Sequence, residues 1–202
     1  ALFRSGKGAR EEALRASLLK AYWLIEDSFK RISSLSSMTS ELAERIYPDA
    51  PKVWSELVNR VAPSANSVKA RRDLMHRMVS GTSHEHLQIE GFPAERGLYE
   101  TLLSSTHLHV QSSDGGWAIC APKPQDSRNL HPMWSAALKL VSGKRTEPVR
   151  VKDLYALWAT PPYGVKAGLM PVFALAFLLC HADTVAVYRD GVFEPKITDV
   201  DV

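Results

Sequence analysis

Four stretches near the C-terminus decide the fold. They are Lys152-Asp153-Leu154-Tyr155-Ala156-Leu157-Trp158-Ala159, then Pro161-Pro162-Tyr163-Gly164, then the apolar run Leu169 to Cys180. The last is Thr184-Val185-Ala186-Val187-Tyr188-Arg189-Asp190-Gly191-Val192-Phe193-Glu194-Pro195. The first is helix-sized and the second is a turn. The third is too short to span a bilayer, which takes about 20 apolar residues, so it reads as a buried helix. The fourth is a hairpin around Asp190-Gly191, a pair that takes up positive φ at little cost. Helix, helix, two-stranded ribbon is the element order of a winged-helix module.

The same order occurs once before. Ser64 offers a helix N-cap and Gly81 a stop, which predicts a helix over 65–79. Glu95 to Ser105 follows as a second helix behind Pro93. Leu108 to Gln111 and Trp117 to Ala121 are strand-like runs joined by Ser112-Ser113-Asp114-Gly115-Gly116. The two halves do not align residue by residue, so the recurrence is architectural only. The polar, proline-containing stretch Pro122 to Pro132 separates them, and Met133 to Val141 is one more helix.

Upstream, Leu14, Leu18, Ala21, Tyr22, Ile25, Phe29 and Ile32 recur at three- and four-residue spacing. They predict one amphipathic helix over 10–32. The serines from Ser33 to Ser40 break it, and a short helix over 41–46 ends before Pro48. Pro51 suits the first turn of a helix carrying Val53, Trp54, Leu57, Val58 and Val61. The expectation is a mainly α protein with small β-hairpins (α+β). It has an N-terminal helical segment (1–48) and two tandem winged-helix-like modules (49–122 and 123–202).

The 202 residues suffice for one sizeable domain or two small ones. With 45% hydrophobic and 23% charged residues the chain is globular, and a net charge of +3 supplies no global pull toward nucleic acid. Cys120 and Cys180 read as core thiols rather than a disulfide framework, so the expected compartment is the cytoplasm. No signal peptide is legible. The chain begins at Ala1 without a methionine, and the expectation is a piece of a longer protein.

A basic cluster is the sharpest candidate site: Arg60, Lys69, Arg71, Arg72 and Arg77, opposed mainly by Asp73. On a helix from Ser64, Leu74, Met75, Met78 and Val68 turn inward, leaving Lys69, Arg72 and His76 together at three- and four-residue spacing. Such a stripe suits phosphates, while Ser64, Asn66 and Ser67 suit phosphate oxygens or base edges. The same cations also fit a solvated helix face paired to Glu56 or other acids. In the second hairpin, Tyr188 and Phe193 are expected to pair across the strands, with at least one of them in the core. Lys166, just before the apolar run, reads as a plain exposed loop lysine, with a phosphate contact as the alternative.

Other patterns point away from chemistry. His84-Glu85-His86 and His107-Leu108-His109 lack further ligands at metal-site spacing, so no metal is expected. For His107-Leu108-His109, strand alternation puts either Leu108 or both histidines inside. Ser5-Gly6-Lys7-Gly8 lacks the upstream glycine and following Ser or Thr of a phosphate loop. No Gly-x-Ser-x-Gly elbow, His-Glu-x-x-His or dinucleotide fingerprint occurs, and no cofactor is expected.

Several blocks carry a family resemblance. They are Glu56-Leu57-Val58-Asn59-Arg60, Lys69-Ala70-Arg71-Arg72-Asp73-Leu74, and Ile89-Glu90-Gly91-Phe92-Pro93-Ala94-Glu95-Arg96-Gly97-Leu98-Tyr99. Pro161-Pro162-Tyr163-Gly164-Val165-Lys166-Ala167-Gly168 and Tyr188-Arg189-Asp190-Gly191-Val192-Phe193-Glu194-Pro195 complete the set. Over roughly 50–200 the chain resembles the C-terminal region of large bacterial P-loop ATPases of phage-defence systems, of the BREX and phage-growth-limitation type. The resemblance implies ATP hydrolysis in an N-terminal domain and action on or around phage DNA. This chain has neither Walker motif, so the ATPase activity does not carry over to it.

The expectation is therefore a non-enzymatic, double-stranded-DNA-binding region of an anti-phage defence ATPase, with all five basic residues as phosphate contacts. The alternative is a docking module that binds other defence-system proteins or itself, without DNA. No membrane contact is expected.

Overall fold

The computed structural model describes residues 2–25, 27–31, 34–55, 64–113, 115–143 and 147–198. Its contacts divide the chain into two units, Ala1–Pro48 and Asp49–Val202. The architecture is mixed α and β: seven α-helices and three separate two-stranded antiparallel hairpins among the described residues.

In the first unit, α1 (Leu2–Lys20) ends at Lys20 rather than at Ile32, where its apolar spacing would carry it. The chain then turns back as β1 (Tyr22–Ile25) and β2 (Ser28–Arg31), with Tyr22 opposite Arg31 and Leu24 opposite Phe29. The expected helix over 10–32 is thus corrected. Tyr-Trp-Leu-Ile is aromatic and β-branched, a composition that favours strands, and Asp27 takes the left-handed φ of 59° that the tight turn needs. The Trp23 indole donates to the Leu18 carbonyl across 3.0 Å and pins the hairpin to α1. Over 34–40 the serine stretch does not break structure either, and the short helix expected over 41–46 begins at Leu35. Ser34 caps α2 (Leu35–Ile46), its hydroxyl accepting from the Ser37 amide.

The second unit begins with an extended strap over 49–55. The Asp49 amide donates to Pro162, the Lys52 amide to Arg128, and the Asn129 amide group to Ala50. The helix expected from Pro51 is absent over 51–55, because these backbone groups bond loops instead of one another. Its remainder lies outside the described residues.

α3 (Ala65–Ser80) starts where the sequence says. Ser64 Oγ accepts from the Ser67 amide at 3.2 Å, and Ser67, Ala70, Leu74, Met75 and Met78 form the buried stripe. Val68 points outward at 44% exposure, so it is not part of that stripe. The helix stops at Gly81 for a reason of space. A Cβ there would sit 2.4 Å from the Leu87 carbonyl oxygen. That carbonyl is brought in by a tight turn in which His86, Leu87 and Gln88 all hold left-handed φ of 51–56°. α4 (Ala94–Tyr99) packs on α3 and runs on through a π-helical turn, Glu100–Ser104.

β3 (His109–Gln111) and β4 (Trp117–Ile119) pair with Val110 opposite Ala118. α5 (His131–Gly143) follows the Asp126 loop, whose carboxylate accepts from the amides of Arg128, Leu130 and His131 at 2.7–3.0 Å. α6 (Val151–Ala159) is tied to α5 by the buried Trp158 indole, which donates to the Met133 carbonyl at 3.0 Å. α7 (Met170–Cys180) is apolar on every side and contacts α3, α6 and β4. It is the central helix, as a helix without a polar face must be. β5 (Val187–Arg189) and β6 (Val192–Glu194) turn at Asp190-Gly191, φ 51° and 81°. One continuous core runs from Ala70 to Phe177 and takes side chains from both sides of the 122–132 stretch.

Candidate nucleic-acid interface

α3 sorts the expected basic residues into three groups. Lys69 is exposed and bonds Asp73 one turn on, at 2.6 Å; that carboxylate holds its ammonium pKa above the ordinary range. Arg71 is half-buried on the opposite side. Its Nη1 donates to the Gly168 carbonyl at 3.3 Å, fixing the turn ahead of α7. Arg72 and Arg77 are exposed, and neither guanidinium has a hydrogen-bond or ion-pair partner among the described residues. Arg60 lies outside the described residues.

Arg72 and Arg77 line an open cleft of about 500 Å³ with Asp73, His76 and Glu95. A second cleft of about 520 Å³ is lined by Arg77, Gln88, Ile89, Glu90, Pro93 and Glu95. The two share Arg77 and Glu95, so α3 and the segment entering α4 form one surface. The local folding explains it. The stripe from Ser67 to Met78 faces the core, so Lys69, Arg72, Asp73, His76 and Arg77 fall together on the outer face. The surface carries both signs, with Asp73 already engaged by Lys69.

Ser64 and Ser67 are committed to the helix start, their hydroxyls 3.0 Å apart, and Ser67 is buried. Asn66 stays exposed. Tyr188 and Phe193 do pair across the ribbon, with ring centroids 5.8 Å apart. The expectation that one of them is a core residue is corrected: they are 60% and 54% exposed, and Val192 beside them 66%. Lys166 is exposed.

The histidines behave differently from their sequence setting. His107 is exposed, with φ 55°, while both Leu108 and His109 are buried. His109 Nε2 donates to the Thr82 carbonyl at 2.8 Å and its Nδ1 accepts from the Tyr99 hydroxyl at 3.0 Å. His86 stands edge-on to Tyr99, centroids 5.7 Å apart. Among the described residues, no group of three or more His, Cys, Asp or Glu side chains is placed to hold a metal ion.

Sequence reasoning missed Glu95, which lines this surface, and Phe92, which stands between its lining residues Glu90 and Pro93. Glu95 lies beside Arg72 and Arg77 only because α4 packs on α3. Phe92 is 97% exposed at the apex between Gly91 and Pro93. The signal available for it was that Gly-Phe-Pro triplet, a phenylalanine held between two turn residues.

No family model, no curated protein and no solved structure matches the chain. No helix among the described residues is long and apolar enough to cross a membrane.

Proposed function

We propose that this chain is a non-catalytic DNA-binding region of a bacterial phage-defence ATPase, acting in the cytoplasm. The observation that carries the reading is the joint exposure of Arg72 and Arg77 on one face of α3, lining a common cleft with His76. Guanidinium groups held on a rigid helix suit phosphate oxygens, which they engage bidentately. Two winged-helix-like modules are part of the proposal, supported by the order α3, α4, β3–β4 and again α6, α7, β5–β6. The ATPase assignment rests on the sequence resemblance alone. Titrating duplex DNA at several salt concentrations tests the reading: affinity falls with salt, and falls further for Arg72→Ala with Arg77→Ala. Undetectable affinity at low salt for duplex and single-stranded DNA alike would overturn it.

A second reading, a docking module, is favoured by the ribbon that exposes Tyr188, Val192 and Phe193 together. Apolar projections of this kind anchor protein interfaces. Its test is a pull-down with the products of neighbouring genes, alongside sedimentation for self-association. A clean partner with no DNA affinity would reverse the ranking.

A further inference from the structure

Phe92 is 97% exposed with no partner among the described residues, and a lone exposed apolar residue is ordinary. Its mounting is not. Gly91 takes φ +67° before it, and Pro93 fixes the chain after it as the residue ahead of α4. The Arg96 guanidinium, largely buried, donates back to the Ile89 carbonyl at 3.2 Å, and the Arg96 amide donates to Pro93 at 3.0 Å. Ile89 is itself buried, anchored to the left-handed turn by its amide, which donates to the His86 carbonyl at 3.1 Å. The ring is thus presented on a braced loop, with little conformational freedom left to lose on binding.

Its position is as informative. Glu90 and Pro93, on either side of the Gly91-Phe92 apex, line the second cleft, which shares Arg77 and Glu95 with the cleft that holds Arg72 and His76. An exposed aromatic ring on the segment that lines a cation-bearing cleft is a combination that suits single-stranded nucleic acid. The base stacks and the cations meet the backbone. An intact duplex offers no such contact, because its base faces are closed by stacking; only an unstacked base can cover the ring. The carboxylates of Glu90 and Glu95 break the cationic surface, so it suits a short stretch of strand. They also offer acceptors to exocyclic amino groups of bases.

We infer that Phe92 is a stacking platform for an unpaired nucleobase, with Arg72 and Arg77 holding the adjoining phosphates, so that the site prefers single-stranded or unpaired DNA to intact duplex. The inference rests on the DNA-binding reading and goes beyond it in naming the form of DNA.

The test uses the whole chain and two probes, a short mixed-sequence single strand and the same sequence as a hairpin duplex. Each carries 2-aminopurine, whose fluorescence reports stacking. The single strand binds more tightly and is quenched. Phe92→Ala weakens it by roughly 5- to 150-fold, the equivalent of ~1–3 kcal/mol per stacked base, and leaves duplex affinity alone. Phe92→Trp retains the preference. Phe92 is solvent-exposed, so circular dichroism of the variants is expected to match that of the parent. If Phe92→Ala binds the single strand like the parent while Arg72→Ala still weakens it, the stacking site is wrong and the DNA-binding reading stands. If neither probe binds the parent protein, both are wrong.

Discussion

The Tyr99 hydroxyl donates to Nδ1 of His109 across 3.0 Å, and the geometry allows no other direction while the imidazole is neutral. His109 Nε2 faces the Thr82 carbonyl, which only accepts, so Nε2 carries the proton and Nδ1 is left as the acceptor. One imidazole therefore joins the π turn end of α4, the strand β3 and the loop after Gly81. Tyr99→Phe keeps the ring and removes the donor, leaving a buried nitrogen unpaired. The expected cost is about 1–3 kcal/mol, read as a fall in the midpoint of urea unfolding.

The same substitution at Tyr155 has the opposite expectation. The Tyr155 hydroxyl is buried without a hydrogen-bond partner among the described residues. Burial pushes its pKa up to about 12, with Arg71 pulling weakly the other way. Tyr155→Phe removes an uncompensated polar atom, so stability is unchanged or rises by up to ~1 kcal/mol. A loss as large as that at Tyr99 would show that the hydroxyl is bonded after all.

Acid destabilises this fold through the buried His109 and the half-buried His181. Burial holds the His109 pKa below the ordinary 6.5, His86 adds a smaller push the same way, and the Thr82 bond opposes them. His181 is also held low by burial, and its Nε2 accepts from the Trp134 indole at 3.2 Å, a bond that protonation removes. A depressed folded-state value means that the unfolded chain takes up the proton first. Their contribution is complete above pH 6.5 and is lost as pH falls from there through the folded-state values. Tyr99, raised by burial from 10.0 to about 12, gives an alkaline limb, lost as pH rises across that interval. Unfolding midpoints measured across pH check this: His109→Gln is expected to flatten the acid limb, and an unchanged slope would remove His109 from the account.

The elements that were legible in sequence are those fixed by local chemistry. The Ser64 cap, the Gly81 stop, the Asp190-Gly191 turn and the unbroken apolar face of α7 each follow from neighbours within a few residues. What was not legible depends on distant partners. His109 is buried because Thr82, 27 residues away, supplies a carbonyl; alternation along one strand does not reveal that. Arg71 and Arg72 look alike in sequence, yet one bonds Gly168 and the other lines the cleft. Tyr22 to Arg31 satisfied helical spacing and strand composition at once, and pairing between strands decided for the hairpin.

Two glycines separate space from helix propensity. Gly81→Ala places a Cβ 2.4 Å from a backbone oxygen that cannot move without disturbing the left-handed turn, and is expected to cost about 1–3 kcal/mol or more. Gly97 lies inside α4, and a Cβ there meets nothing within 4 Å. Gly97→Ala is expected to stabilise by roughly 0.5–1 kcal/mol, since alanine loses less backbone freedom on entering a helix. Thermal melting of the two variants should move in opposite directions.

Arg71 and Arg72 provide the sharpest separation of fold from function. Arg71→Ala removes a charged donor from the Gly168 carbonyl and an aliphatic stem from the half-buried space near Tyr155. The expectation is a loss of about 1–2 kcal/mol of stability, with the salt dependence of DNA binding unaltered in the fraction that stays folded. Arg72→Ala removes an exposed side chain with no partner among the described residues, so stability changes by less than ~0.5 kcal/mol. If Arg72 meets a phosphate, the slope of log affinity against log salt falls by about 1. Lys69→Ala is expected to change the slope less, because the Lys69 ammonium is already engaged by Asp73 at 2.6 Å. Equal salt slopes for Arg71→Ala and Arg72→Ala would mean that the outer face of α3 is not where the DNA lies.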